Sequence, residues 1–210
     1  MKRKVALILP FVIALALALP LVALASVDWF DDFDGYPTGQ DLHGVGGWKG
    51  WGNDPTFTAF TTAAQALSAP NSVDITTDAD LVQEYTGYTS GLWTFGACQY
   101  VPGNMVGQSY FIMLNQYDDP GVTNNLSTQV LFDVAAGLVV DTGLSGATLP
   151  LAADQWVPLE VQIDLTQDIQ NFYYGGVLLY TSDWTNHVSG GGIFNIGALD
   201  LFANGATSVY

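Results

Sequence analysis

The chain has 210 residues, with 20 acidic side chains against 4 basic ones and 49% apolar composition. Three of the bases, Lys2, Arg3 and Lys4, head the chain; without residues 1–25 the remaining 185 (210 − 25) carry one base, Lys49, and a formal charge of 1 − 20 = −19. That balance excludes partners held through phosphate, nucleic acid and anionic membrane alike.

The first element in chain order is an apolar run over 5–24 that follows the three bases and closes on Ala23, Leu24 and Ala25 before Ser26. A charged head, an apolar middle and a small-residue exit describe a secretory signal peptide, and its helix is expected over 1–25. Pro10 and Pro20 inside the run favour cleavage over retention as a membrane helix. Cleavage implies a secreted or cell-surface protein with no membrane insertion after it.

From 26 onward, short runs of β-branched, aromatic and alternating residues recur between Gly, Pro, Asn and Asp: 56–61, 72–77, 92–101, 109–117, 126–134, 157–166, 169–174, 177–181 and 198–203. No stretch holds a helical period, so a β-sandwich or barrel in one domain over 26–210 is expected. Val157, Leu159, Val161, Ile163 and Leu165 share one phase of their run, while Trp156, Glu160, Gln162 and Asp164 share the other, which is the pattern of a half-buried strand. Gly175 and Gly176 suit the positive φ values of a tight hairpin. The run 109–117 is apolar on both phases until Asn115 and is expected at a sheet centre, with Tyr110 at the edge of any cleft. The single Cys98 allows no internal disulfide and is expected as a buried small hydrophobe.

Catalytic apparatus is sparse. A glycosidase sets two carboxyls about 5–5.5 Å apart for retention or about 6.5–9.5 Å for inversion. Glu160 and Asp164 lie four residues apart on one strand face, ~13 Å, and cannot be partners. His43 and His187 are distant in sequence, neither lies in H-E-x-x-H, and no Ser occurs in G-x-S-x-G, so both histidines are expected as ordinary surface residues.

WFDDFDGYPTG with GGW after it, WVPLEVQIDLTQDIQNFYYGGVLLY and ALDLFANGATSVY together resemble the laminin-G-like jelly-roll domains of the concanavalin A-like lectin/glucanase superfamily, of the secreted bacterial type, over 28–210. The resemblance implies an all-β, two-sheet antiparallel jelly-roll sandwich whose concave sheet carries glycan sites or hydrolase centres, with calcium often bracing the rim. Laminarinase-type members use E-x-D-x-x-E or E-x-D-x-E on one strand. Here Gln162 stands where that pattern wants Asp, and only Glu84 and Glu160 exist.

The expected function is therefore a non-catalytic module that binds a polysaccharide or glycoprotein ligand. A hydrolase or lyase with an unrecognised site, and a purely structural or adhesive domain, are the alternatives. Tyr100, Tyr110 and Trp184, the last on a turn-like loop, offer faces for stacking on sugar rings, and Gln129 offers a polar contact. Trp48, Trp93 and Trp156 are expected to fill the space between sheets. No cofactor is required, but Asp32 and Asp34, expected to share a strand face within WFDDFD (29–34), are the candidate ligands for a structural calcium ion. At the other end, Asn204 and Gly205 are expected to form a hairpin whose returning strand, 206–210, is cut short, leaving a truncated last strand and the 29–33 strand as an exposed edge.

Overall fold

The computed structural model describes residues 27–120 and 122–210; the expected signal peptide lies outside the described residues. Fourteen strands follow in chain order: β1 (Trp48–Gly50), β2 (Phe60–Thr62), β3 (Ser72–Thr77), β4 (Asp80–Glu84), β5 (Leu92–Tyr100), β6 (Gln108–Gln116) and β7 (Asn125–Asp133). The second half continues with β8 (Leu138–Asp141), β9 (Thr148–Pro150), β10 (Trp156–Asp164), β11 (Ile169–Tyr174), β12 (Val177–Ser182), β13 (Ala198–Asn204) and β14 (Ala206–Val209). All pairings between them are antiparallel.

One sheet has seven strands in the order β1-β4-β13-β6-β7-β8-β9; the others run β12-β11-β10-β5 and β14-β3-β2. Tyr100, at the end of β5, and Tyr210, just past β14, exchange both backbone hydrogen bonds, at 2.6 and 3.0 Å. That reciprocal pair joins the two smaller sheets into a second layer. The fold is a jelly-roll sandwich.

Alternation in the sequence becomes the two faces of each layer. On β10, Val157, Leu159, Val161 and Ile163 point inward at 7, 3, 0 and 0% exposure, while Glu160, Gln162 and Asp164 stay half-exposed. Between the layers Phe111 of β6 meets Phe95 of β5 at 5.8 Å and Phe172 of β11 at 5.9 Å. Tyr174 of β11 lies 6.3 Å from Phe132 of β7. Strand β6 sits fourth of seven in its sheet, as its two apolar phases require. Pro158 fits inside β10 because its carbonyl accepts from Gly175, where β11 has already turned away, so no ladder donor is lost.

Several expectations need correction. Residues 29–33 form no strand: Phe33 takes φ 63° and Tyr36 N–H closes a turn onto its carbonyl at 3.3 Å. The run 56–61 begins instead as a short 3₁₀ turn, Pro55–Phe57, because proline starts it and the Asp54 carboxylate caps the Thr56 N–H at 2.8 Å. Gly175 and Gly176 both have positive φ, 58° and 78°, and make the expected hairpin. Of Asn204 and Gly205 only the glycine does, φ 66°, and a type I′ hairpin needs both. The chain therefore turns a corner there, and β14 pairs with β3 rather than with β13. Trp48 is buried in the interior, but Trp156 falls on the outer phase of β10, opposite Tyr100. Cys98 is exposed, because the even-numbered residues of β5 face outward.

The register of β5 makes a measurable statement. Tyr100 turns its backbone groups toward Tyr210, so Cys98, Gly96 and Thr94, on the same alternation, turn theirs away from β10, while Gly91 bonds to Leu165 on the β10 side. Amide hydrogen exchange should be fast at Thr94, Gly96 and Cys98 and slow at Phe95 and Ala97; equal protection along β5 would contradict this register.

Candidate functional site

The strand registers place Ala198, Asp200 and Phe202 of β13 beside Glu84, Val82 and Asp80 of β4 on one side, and beside Leu114, Ile112 and Tyr110 of β6 on the other. Across β6, Ile112 and Tyr110 face Gln129 and Leu131 of β7. All of these side chains lie on the face turned away from the second layer, since the opposite phase carries Phe111 into the interior. Val82, Ile112, Leu114 and Ala198 form a floor at 4% exposure or less, and Trp51, Tyr110, Tyr117, Leu126 and Phe202 pack on it, half-buried.

The aromatic side chains are ordered in two pairs. Tyr110 stacks on Phe202 with centroids 5.7 Å apart, and Trp51 meets Tyr117 edge-on at 4.9 Å. The Tyr117 hydroxyl accepts from the Gly52 N–H at 2.7 Å, which holds the 3₁₀ turn Trp51–Asn53 against the sheet. Lys49 of β1 lies 5.5 Å from the Tyr117 ring centroid, and its Nζ bridges Glu84 at 2.9 Å and Asp119 at 2.6 Å. Burial works against its charge, but the hydrogen bonds to Asp119 and Glu84 outweigh burial and hold its pKa above the ordinary lysine value.

Beside Phe202 on this face lies a feature that the alternation of β13 did not announce. Asp200, 3% exposed, is in hydrogen-bonding contact with Asp80. Burial, then the neighbouring Asp80 charge, pushes the Asp200 carboxyl well above the usual range, and burial raises Asp80 as well. Oδ1 of each finds no donor among the described residues, so one proton shared between the two satisfies both. The two carboxyls stand 120 residues apart in sequence and meet only through the pairing of β4 with β13. Carboxyls in direct contact are closer than the about 5–5.5 Å that a retaining glycosidase needs.

The residues singled out from sequence scatter. Tyr110 and Gln129 share this face on adjacent strands. Tyr100 belongs to the second layer, edge-on to Trp156 at 5.7 Å and to Tyr210 at 6.2 Å, beside a shallow hollow that Pro102, Asn104 and Asp154 also line. Trp184 is fully buried and donates its indole N–H to the Asn195 carbonyl at 2.8 Å; it anchors its loop and has no face to offer a sugar. Asp32 Oδ1 accepts from the Asp34 N–H at 3.1 Å, and Asp34 Oδ1 from the Asn71 N–H at 3.0 Å, which are turn contacts rather than a shared strand face. Among the described residues, no three or more His, Cys, Asp or Glu side chains gather as a metal site.

His187 is buried, not a surface residue, at 1% exposure. Its Nε2–H donates to Asp141 Oδ1 at 2.9 Å, and its ring stacks on Tyr180 at 4.5 Å. The Ser145 hydroxyl donates to the other oxygen of Asp141. Serine, aspartate and histidine thus stand in a row with the carboxylate in the middle, and no bond joins hydroxyl to imidazole, so the serine has no base. Burial raises the Asp141 pKa, yet donation from His187, Ser145 and Gly143 prevails and leaves it below the ordinary value. These contacts brace the loop after β12 against β8.

No family model matches the chain, and no curated protein matches it. Among solved structures it is similar to the carbohydrate recognition domain of Emp46p in its potassium-bound form, with TM-score 0.52 and 7% identity, covering 85% of this chain and 90% of that one. It is also similar to part of a sialidase, with TM-score 0.51 and 11% identity, covering 78% of this chain and 14% of that one. At such identities the likeness is one of fold.

The acid pair makes a signed prediction. Because the folded state holds a proton that the unfolded chain releases near pH 4, stability should fall as pH rises above about 4, by up to about 1.4 kcal/mol per pH unit until the folded pKa is passed. Asp200→Asn removes that loss. Its melting temperature should exceed that of the parent at pH 7 and converge with it near pH 4; a pH-independent difference would show that no proton is shared.

Proposed function

We propose that this chain is a secreted, non-catalytic saccharide-recognition module of the laminin-G-like kind, which takes its ligand on the outer face of the seven-stranded sheet. The observation that carries this reading is the stacked Tyr110 and Phe202 pair, half-exposed on a fully buried floor. Rings held on paired strands lose little freedom when a pyranose stacks on them, and the C–H face of a sugar is the complement of such a surface. Gln129, one strand away, supplies an amide that no described residue engages. No helix among the described residues is long and apolar enough to cross a membrane.

A hydrolytic reading draws on the Asp80 and Asp200 pair, the one place among the described residues where two carboxyls are perturbed together. A general acid must reach the glycosidic oxygen. Asp200, at 3% exposure, is covered by its neighbours. Glu84, the nearest other acid on this face by register, is committed to Lys49.

A glycan-array screen followed by calorimetry tests the reading. Tyr110→Ala and Phe202→Ala should each weaken binding by about 1–2 kcal/mol, roughly 5- to 30-fold. Tyr173→Ala, on the outer face of the second layer, should leave it unchanged. Undiminished affinity in folded Tyr110 and Phe202 variants, or release of reducing ends from the bound glycan, would overturn it.

A further inference from the structure

The charge around this face narrows the ligand class, an inference that rests on the saccharide-binding reading. A uronate, sialate or sulfate group is held most strongly by a cation with free donors, and arginine is the usual one. Among the described residues there is no arginine and a single lysine, Lys49. Its ammonium is closed on both sides by Glu84 and Asp119, and its side chain is only 14% exposed. The Tyr110 and Phe202 stack is flanked by acids instead: Asp80 beside Phe202 on β4, with Asp200 next to it, and Asp133 at the far end of β7. The Tyr110 phenol is raised by burial and by the Asp133 charge, which places that carboxylate within electrostatic reach of the ring. Of the two histidines, His187 is buried behind the sheet, and His43 turns Nδ1 back onto the Gly50 N–H at 3.3 Å.

We propose that the face selects neutral saccharides and rejects their uronic, sialylated and sulfated counterparts. A neutral pyranose gains the stacking surface at no electrostatic cost. An acidic one carries its charge toward Asp80 and Asp133 with no counter-cation, in a protein whose net charge already opposes it. The repulsion acts between partly exposed charges and is screened over a Debye length of about 10 Å at 0.1 M salt, so the discrimination weakens as salt is added while neutral binding does not change.

Matched pairs that differ only in charge test this with the whole secreted chain at pH 8, where an ordinary histidine is neutral. The probes are laminarin against sulfated laminarin, cellohexaose against the β-1,4-glucuronan hexasaccharide, and N-acetyllactosamine against its sialylated form, each at 20 and 300 mM NaCl. In every pair that shows binding, the neutral member should bind at least tenfold more tightly at low salt, the gap should narrow at high salt, and Asp133→Asn should narrow it further. An acidic member bound equally or more tightly, with its affinity lost in Tyr110→Ala, would overturn the selectivity while leaving the binding face in place. Absence of binding to all six probes would overturn the selectivity and the binding reading together.

Discussion

Phe111 touches Phe95 and Phe172 across the interior at 5.8 and 5.9 Å, and the sandwich is organised around that contact. It forces β6 to present Phe111 and Met113 inward, which sends Tyr110, Ile112 and Leu114 outward on the alternate phase. Ile112 and Leu114 are too apolar to stand in water, so the outer face must be covered in its turn. Trp51 and Tyr117 roof one end; Tyr110 and Phe202 cover the other only halfway. The candidate ligand face is thus the incompletely covered remainder of a central strand that is apolar on both sides. A one-residue slip of β6 would exchange the two sets and destroy the core and the face together.

The same constraint explains why Asp200 needs Asp80. A carboxylate set among Val82, Ile112 and Phe202 is costly to ionise, and Lys49, two strands away, is engaged by Glu84 and Asp119 instead. Sharing one proton with a second carboxyl converts two poorly solvated groups into one hydrogen-bonded unit with a single negative charge. The Asp141 site reaches the opposite outcome: the donors arriving from His187, Ser145 and Gly143 keep its carboxylate ionised. Two buried acids in one sandwich are therefore perturbed in opposite directions, and the number of available donors decides which way.

Legibility in the sequence followed the range of the interaction. Strands β3 and β11 stand at the bounds that composition and alternation alone assigned to them, because each repeats a strong two-residue period between turn residues. The short strands β1, β4, β8 and β9 were invisible, since three to five residues carry too little period to detect and are strands only because long neighbours pair with them. Tyr110 and Gln129 were legible as face residues because each alternates inside a long strand. Trp184, His187 and Cys98 were not: whether a side chain points in or out depends on packing and register with strands far away in the chain. The Asp80 and Asp200 pair belongs to the same class, being created by strand pairing alone.

Of the two outer faces, the second layer's is the more polar, yet several of its polar side chains are already paired with one another. Gln162 donates to Glu160 at 2.7 Å, Thr181 to Asn171 at 2.6 Å, and Gln167 to Asp164 at 2.9 Å. A sugar docking there would have to break these bonds to make its own, exchanging like for like with no net gain. On the seven-stranded sheet the Gln129 amide is uncommitted and stands beside a half-exposed aromatic stack, so a ligand there adds contacts without displacing any. The Glu160 row, which looks the more chemical of the two in sequence, is the solvated side of a strand whose work is done by Val161 and Ile163 on its other face.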